Sequence, residues 1–361
     1  MKNIIIIILG ILIFSFFGYS NDRDQTAPLS ELEEELKNIA EEILNNDSLE
    51  YKLEINLVFQ KRLYNILQRE DSYNYPFSNL KTISRIYPED NSFRIFTWYI
   101  TDKVYKMCHY YGMVQRKIIT KEGITKIVIV PLIDKTDNLP AVESTVLTPE
   151  NWMGALYYVP KNKNFGVTTY EGVAYRYNPL KKKEIKEKYK FYVLLGWNGH
   201  DISTNYKIID TINFEDKNDT TIVTFGMPIF YFSRVPKSRV VVEYSDNSSV
   251  TLNYAKVIRK GFLGFKKKQE MIVFDHIVMP KNTRQTAYWQ AGPDGTYDAL
   301  AFYNKFYENR KGFFGYHKDV TVYVPELEKY DPKLVKKQAE AERKKLQKEG
   351  IILPKNNTKN K

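Results

Sequence analysis

Cysteine is nearly missing from this chain: Cys108 is the only one in 361 residues. An intrachain disulfide is therefore excluded, and Cys108 sits in the aromatic "YKMCHYYGMV", where a thiol behaves as a small apolar group. Histidine is scarce too, at positions 109, 200, 276 and 317. With no HExxH spacing and no cysteine pairs, nothing in the spacing supports a metal site. GxSxG, Walker and dinucleotide-binding glycine patterns do not occur, which removes the usual signatures of serine hydrolases and nucleotide-dependent enzymes. No cofactor is expected, and no complete catalytic set is visible.

Only one long apolar run is present. Ile4 to Phe17 follows Lys2 and gives way to Gly18, Tyr19 and Ser20 before the polar Asn21, Asp22, Arg23 and Asp24. A positive start, a 14-residue apolar core and small residues before a polar stretch form a secretory signal peptide, cut after Ser20. The run is shorter than the roughly 20 residues that span a bilayer, and no cysteine follows it to carry a lipid. The expectation is an exported protein, periplasmic or extracellular, that is not a lipoprotein and keeps no transmembrane segment after cleavage.

What remains is rich in apolar residues, 43%, and aromatics, 14%, a composition that excludes disorder for most of the length. The formal charge is +11, but Glu326 to Lys361 holds eleven Lys and Arg against six Asp and Glu, which is +5 of it. A nucleic-acid-binding face on the body is disfavoured accordingly. The basic tail suits a weak contact with anionic surfaces.

The hydrophobic pattern divides the mature chain. Apolar residues at 29, 32, 36, 39, 40, 43 and 44 line one helical face, and Leu49 to Leu67 forms a second helix that Ser48 can cap, so residues 21–75 are expected to be a helical hairpin. From 76 to 325, short runs rich in Ile, Val, Tyr and Phe alternate with Gly, Pro, Asn and Asp. They start at Phe93, Thr125, Lys190, Tyr206, Thr221, Arg239, Ser249, Glu270 and Asp319. Turn-sized gaps such as Ser245 to Ser248 predict a mainly antiparallel β domain, with propeller, barrel and sandwich left open. Residues 326–361 are expected to be a basic helix opened by Asp331 and Pro332, then a tail. The echo of "RKGFLGFKK" from Arg259 in "RKGFFGYHK" from Arg310 reads as a twice-used connection, with an anion-receiving loop as the sharper alternative.

Two pairs carry the catalytic candidates. His200 and Asp201 follow an Asn-Gly step in "LLGWNGHD", a strong turn signal. Asp275 and His276 are neighbours in the apolar "MIVFDHIVM", where strand alternation sends them to opposite faces. Asp294, Asp298 and Glu243 complete the acids that sequence allows for glycan hydrolysis. "GPDGTYDAL" reads as a turn before a short helix. Trp152, Trp197 and Trp289 stand beside Gly, Pro or Asn, so they are candidates for ligand stacking at loop positions.

The segments "PFSNLKTISRIYPEDNSFRIFTWYI", "YYGMVQRK", "ENWMGALYYV", "YVLLGWNGHD", "KIIDTINF", "FGMPIF", "RVVVEYS", "MIVFDHIVMP" and "GPDGTYDAL" together resemble an uncharacterised family of exported bacterial proteins. The resemblance covers roughly residues 76 to 300 and implies export and a β-rich body, with no activity to carry over. The resulting expectation is a non-catalytic binding or structural protein of the cell envelope, its partner a glycan or a protein. The alternative is a hydrolase of envelope material working through paired carboxylates.

Overall fold

The computed structural model describes residues 22–102, 104–178, 183–217, 219–260, 266–280, 287–307, 310–316 and 321–322. The predicted signal peptide and C-terminal basic helix lie outside them. The chain divides into two compact units: Met1–Ala255 with Glu270–Val320, and Lys256–Gln269 with Thr321–Lys361.

The first unit begins with helices α1 (Asp22–Thr26), α2 (Leu29–Asn45) and α3 (Leu49–Leu67). Ser48 Oγ accepts from the Tyr51 amide at 3.3 Å, so α3 carries the cap its sequence promises. Tyr51 donates to Glu42 at one end of the pair and Arg62 meets Glu35 at the other, which makes α2 and α3 antiparallel. Helix α1 was not expected. Asp24 holds it down, its buried carboxylate accepting from Arg62 at 3.1 Å and Asn65 at 3.2 Å.

Three sheets follow. The first is antiparallel in the order β1 (Ser84–Ile86), β2 (Phe93–Thr101), β3 (Cys108–Ile119), β4 (Thr125–Ile133). The second contains β5 (Leu156–Tyr157), β6 (Val167–Asn178), β7 (Lys183–Asn198), β8 (Thr204–Lys217), β9 (Thr220–Phe225) and, at one edge, β11 (Val240–Ser245). The third joins β10 (Phe230–Tyr231), β15 (Arg310–Tyr316), β14 (Gly292–Tyr307), β13 (Lys266–Val278) and β12 (Leu252–Lys260). Among the strand pairs whose register is described, pairing is antiparallel except between β10 and β15. Among the described residues no sheet closes on itself. In the second unit, taken alone, Val257 and Ile258 pair antiparallel with Val322 and Thr321 of β16 (Thr321–Val322).

Strand alternation explains the stacking. On β2, Phe96, Trp98 and Ile100 pack on Leu36, Phe59 and Leu63 of the helices, while Phe93 and Ile95 face the second sheet. On β7, Leu194 faces the first sheet while Phe191, Val193 and Leu195 face Ile272, Leu300 and Phe313 of the third. The layers therefore run helices, first sheet, second sheet, third sheet. A strand buried on both faces reads as a continuous apolar run, which is why "FYVLL" shows no alternation.

Three local expectations change. Ser245–Ser248 makes no hairpin: β11 pairs β8, β12 belongs to the third sheet, and the turn carries the chain from one sheet to the next. Gly292–Tyr307 is a strand, not a turn before a helix. Asp294 Oδ1 accepts from the Thr296 amide and hydroxyl, and Gly295 takes φ +83° as a kink inside the strand. "RKGFFGY" is a strand too, and Gly315 is demanded by the Phe232 ring, which a Cβ there would meet at 2.4 Å. In the earlier copy, residues 261–265 lie outside the described residues.

One buried ion pair ties the loop at 142–145 to this frame. Arg239 and Asp210 have 0% and 1% of their side-chain surface exposed and meet at 3.2 Å. The guanidinium also donates to the carbonyls of Val142 and Thr145, and the Gly226 backbone, at φ +82°, leaves it room. Burial pushes the Asp210 carboxyl upward, and Arg239 with the Thr211 amide pulls against it. A pair buried this deeply adds little net stability, yet removing one partner strands the other charge. Arg239→Met should cost about 3–5 kcal/mol in chemical denaturation, and Arg239→Met with Asp210→Leu should recover a large part of that loss.

Candidate functional site

The two His-Asp pairs do not meet. Residues 199–203 form the loop between β7 and β8, and its polar groups hold the loop together. Asp201 Oδ1 accepts from the amides of Ser203 and Thr204, both at 2.7 Å, and from Ser203 Oγ at 2.8 Å. Burial works against its charge, but these bonds prevail and hold the carboxyl below its ordinary value. Asn198 donates to the Gly154 carbonyl at 2.6 Å, and the Gly199 amide donates to Tyr110 Oη at 2.6 Å. The His200 ring stacks on Tyr206, centroids 4.1 Å apart, with its Nδ1 buried and lacking a hydrogen-bond partner. His200 and Asp201 thus form a turn packed on its neighbours, as an Asn-Gly step allows.

Asp275 and His276 lie in a strand whose partner is irregular. The register of β13 against β14 shifts between Asp275 and Ile277, with the extra residues on β14 around the kink at Gly295. Both residues border one cleft of about 380 Å3, but their side chains find different partners, as strand alternation leads one to expect. Asp275 Oδ2 accepts from the Thr251 amide at 2.7 Å and hydroxyl at 2.9 Å. His276 Nδ1 lies 2.9 Å from Asp298 Oδ2 across the strand pair.

The opposite wall of the cleft is β11 with the loop that Arg239 anchors. Glu143 contributes a carboxylate whose Oε2 accepts from Lys237 at 2.7 Å and whose Oε1 accepts from the Val241 amide at 3.3 Å. Glu243 lines the cleft from β11 itself, and burial pushes its carboxyl above the ordinary value, with Asp201 adding to the shift and Thr204 opposing it. Among the described residues the cleft is bordered by Glu143, Glu243, Asp275 and Asp298, with Lys237 and His276 beside them. Tyr288 stands on its wall, and the next residue, Trp289, is 51% exposed.

The other tryptophans are placed differently. Trp152 is wholly buried, its Nε1 donating to Tyr157 Oη at 3.1 Å, so it is a core residue and no part of a stacking surface. Trp197 is half-buried, edge-on to Tyr99 with centroids 5.5 Å apart. Glu143, Lys237 and Tyr288 were not singled out by sequence. Glu143 lies 100 residues from Glu243, and no spacing rule connects them. Arg239, opening the apolar "RVVVEYS", was the one available signal, because a cation beside a buried strand needs a partner. No His, Cys, Asp or Glu cluster able to hold a metal occurs among the described residues.

Comparison of the chain with protein-family profiles, with curated proteins and with solved structures finds no match.

His200 gives a checkable pH dependence. Burial lowers its pKa below the usual value of about 6.5. The unfolded chain therefore takes the proton first as pH falls. Stability linked to the neutral ring is complete above the ordinary imidazole range and declines as pH drops through it. An NMR titration should place the His200 midpoint below 6.5, and His200→Phe should flatten the fall in stability between about pH 7 and 5.

Proposed function

We propose that this is an exported protein that binds a cell-envelope partner, glycan or protein, in the cleft between β11 and β13. The observation that carries this reading is one concavity bordered by four acidic residues from separate parts of the chain, beside Tyr288 and the exposed Trp289. Concave sites with a few fixed polar groups and aromatic walls are where ligands are held. Several of the acids already have structural work: Asp275 holds Thr251, Glu143 holds Lys237 and Val241, and Asp298 holds His276. Acceptors anchored in this way suit the orientation of a ligand better than the cycling of a proton. Export is supported by the charged start, apolar core and small residues of positions 1–20.

One specific feature favours hydrolysis as a second reading. Glu243, its carboxyl held toward the neutral form by burial as a general acid requires, borders the same cleft as Asp275 and Asp298.

The purified protein should be retained by insoluble cell-wall glycan or by a solubilised envelope-protein fraction. Tyr288→Ala combined with Trp289→Ala should weaken that retention at least about tenfold, a loss near 1.4 kcal/mol. Retention unchanged in the double variant would sink the cleft as the binding site. Release of reducing ends from the glycan by wild type, abolished in Glu243→Gln, would instead establish the hydrolase. Protein recovered outside the cytoplasm should begin at Asn21 on N-terminal sequencing; an intact Met1 terminus would contradict a cleaved signal.

A further inference from the structure

The turn between β2 and β3, residues 102–107, is held by its own polar groups. Asp102 is buried; its carboxylate accepts from the amides of Val104 at 2.8 Å and Tyr105 at 3.2 Å, and its amide donates to the Met107 carbonyl at 2.8 Å. Lys106 completes the reversal at φ +53°. Nothing in that arrangement calls for apolar residues at the tip, where Gly, Asn, Asp and Ser ordinarily stand. Yet Val104, Tyr105 and Met107 are 77%, 66% and 45% exposed. One exposed apolar side chain is ordinary, whereas three on a single fixed turn form a patch. Two neighbouring loops enlarge it. Lys52 Nζ reaches the Thr101 carbonyl at 3.4 Å, so the start of α3 stands beside the turn, close behind the exposed Leu44 that ends α2. Cys108 is at the other foot of the turn, where a Cβ on Gly199 would meet its Sγ at 3.2 Å, and the loop beyond Gly199 carries the exposed Ile202.

We infer that this turn docks the protein on an anionic lipid surface, with Val104, Tyr105 and Met107 entering the headgroup region and Lys106 meeting the lipid phosphates. The inference goes beyond the cleft and does not use it. Valine and methionine supply apolar area to the acyl boundary, and tyrosine is at home where a ring is buried and a hydroxyl stays wet. The charge of the turn has the matching sign. Its acid, Asp102, is buried and bonded to the backbone, while Lys106 is exposed and Lys103 precedes Val104 in the chain. The adjoining loops add the acids Asp47 and Asp201, the second held by the Ser203 and Thr204 amides. Apolar contact therefore leads, and the preference for anionic over neutral lipid is modest. Shape separates a bilayer from a protein partner. The apolar side chains stand on the tips of loops, and a fluid surface receives such tips without a complementary pocket for each.

The test is co-sedimentation of the chain beginning at Asn21, the form left by signal cleavage, with sucrose-loaded vesicles of phosphatidylcholine containing phosphatidylglycerol. Binding is expected, and the combined variant Val104→Ser, Tyr105→Ser and Met107→Ser, shown to be folded by circular dichroism, should lose at least about tenfold. Lys106→Gln, or vesicles of phosphatidylcholine alone, should weaken binding about threefold to fivefold. Lys344→Gln, Lys345→Gln and Lys348→Gln together remove more charge from the basic C-terminal segment, yet should cost less than the serine variant does. Tyr105→Trp should shift its emission to the blue on vesicles, whereas Ile119→Trp, at the far end of β3, should not. Equal shifts at both positions would mean adsorption without orientation and would overturn the inference. So would binding that survives the serine changes and is lost with the C-terminal lysines. No sedimentation at millimolar lipid, with retention by an envelope-protein fraction that the serine variant loses, would assign the turn to a protein partner instead.

Discussion

The guanidinium of Arg239 has no contact with water, and the shape of the candidate site depends on that. Its charge is met by Asp210 on β8 through Nε, and its Nη1 donates to the carbonyls of Val142 and Thr145. Those carbonyls bracket Glu143, whose own carbonyl accepts from the amides of Ser238 and Arg239 and whose carboxylate reaches Lys237 and Val241. A buried cation thereby determines where a cleft carboxylate stands and how β11 is held at the sheet edge. The pair need not contribute net stability to do this. A charge removed from water tolerates few arrangements, and that intolerance specifies geometry.

The layered body supplies the second constraint. β7 is buried on both faces, between the first and third sheets, so the second sheet has no wet face in its middle. Polar groups and openings are left to the edges, and the cleft lies between β11 and β13, whose register against β14 shifts beside it. A shifted register and an unpaired edge are both places where a sheet presents groups that its ladder does not use. Their meeting is what makes a cleft in an otherwise close-packed stack.

Much of the framework was legible from the chain. Periodicity marked α2 and α3 and the residue that caps α3, and it marked β2 and β4 at or within one residue of their limits. The turn after Trp197 was legible because Asn-Gly steps have few other uses. The candidate site was legible only in fragments. Asp275, His276, Asp298 and Glu243 could be named as acids and bases, and strand alternation sent the side chains of Asp275 and His276 to different partners, but no spacing showed that all four residues border one cleft. Ser245–Ser248 announced a change of direction without saying that the next strand would join another sheet. Trp152 looked like a loop aromatic because its neighbours are Pro and Gly, yet the loop itself is packed under the first two sheets.

Local chemistry in the sequence by itself determined the class of the fold, mainly β behind a pair of helices, because helical and strand periods are properties of neighbouring residues. It also determined the scarcity of thiols and of metal-binding spacing, and hence which chemistries lacked a signature. Only the tertiary structure decided the order of the sheets, the burial of Trp152 and Arg239, and the gathering of Glu143, Glu243, Asp275 and Asp298. The physical reason is one of range. Alternation and capping act over a few residues, whereas a cleft is made by strands a hundred or more positions apart, whose approach is set by which apolar faces can be covered and which buried charges can be met.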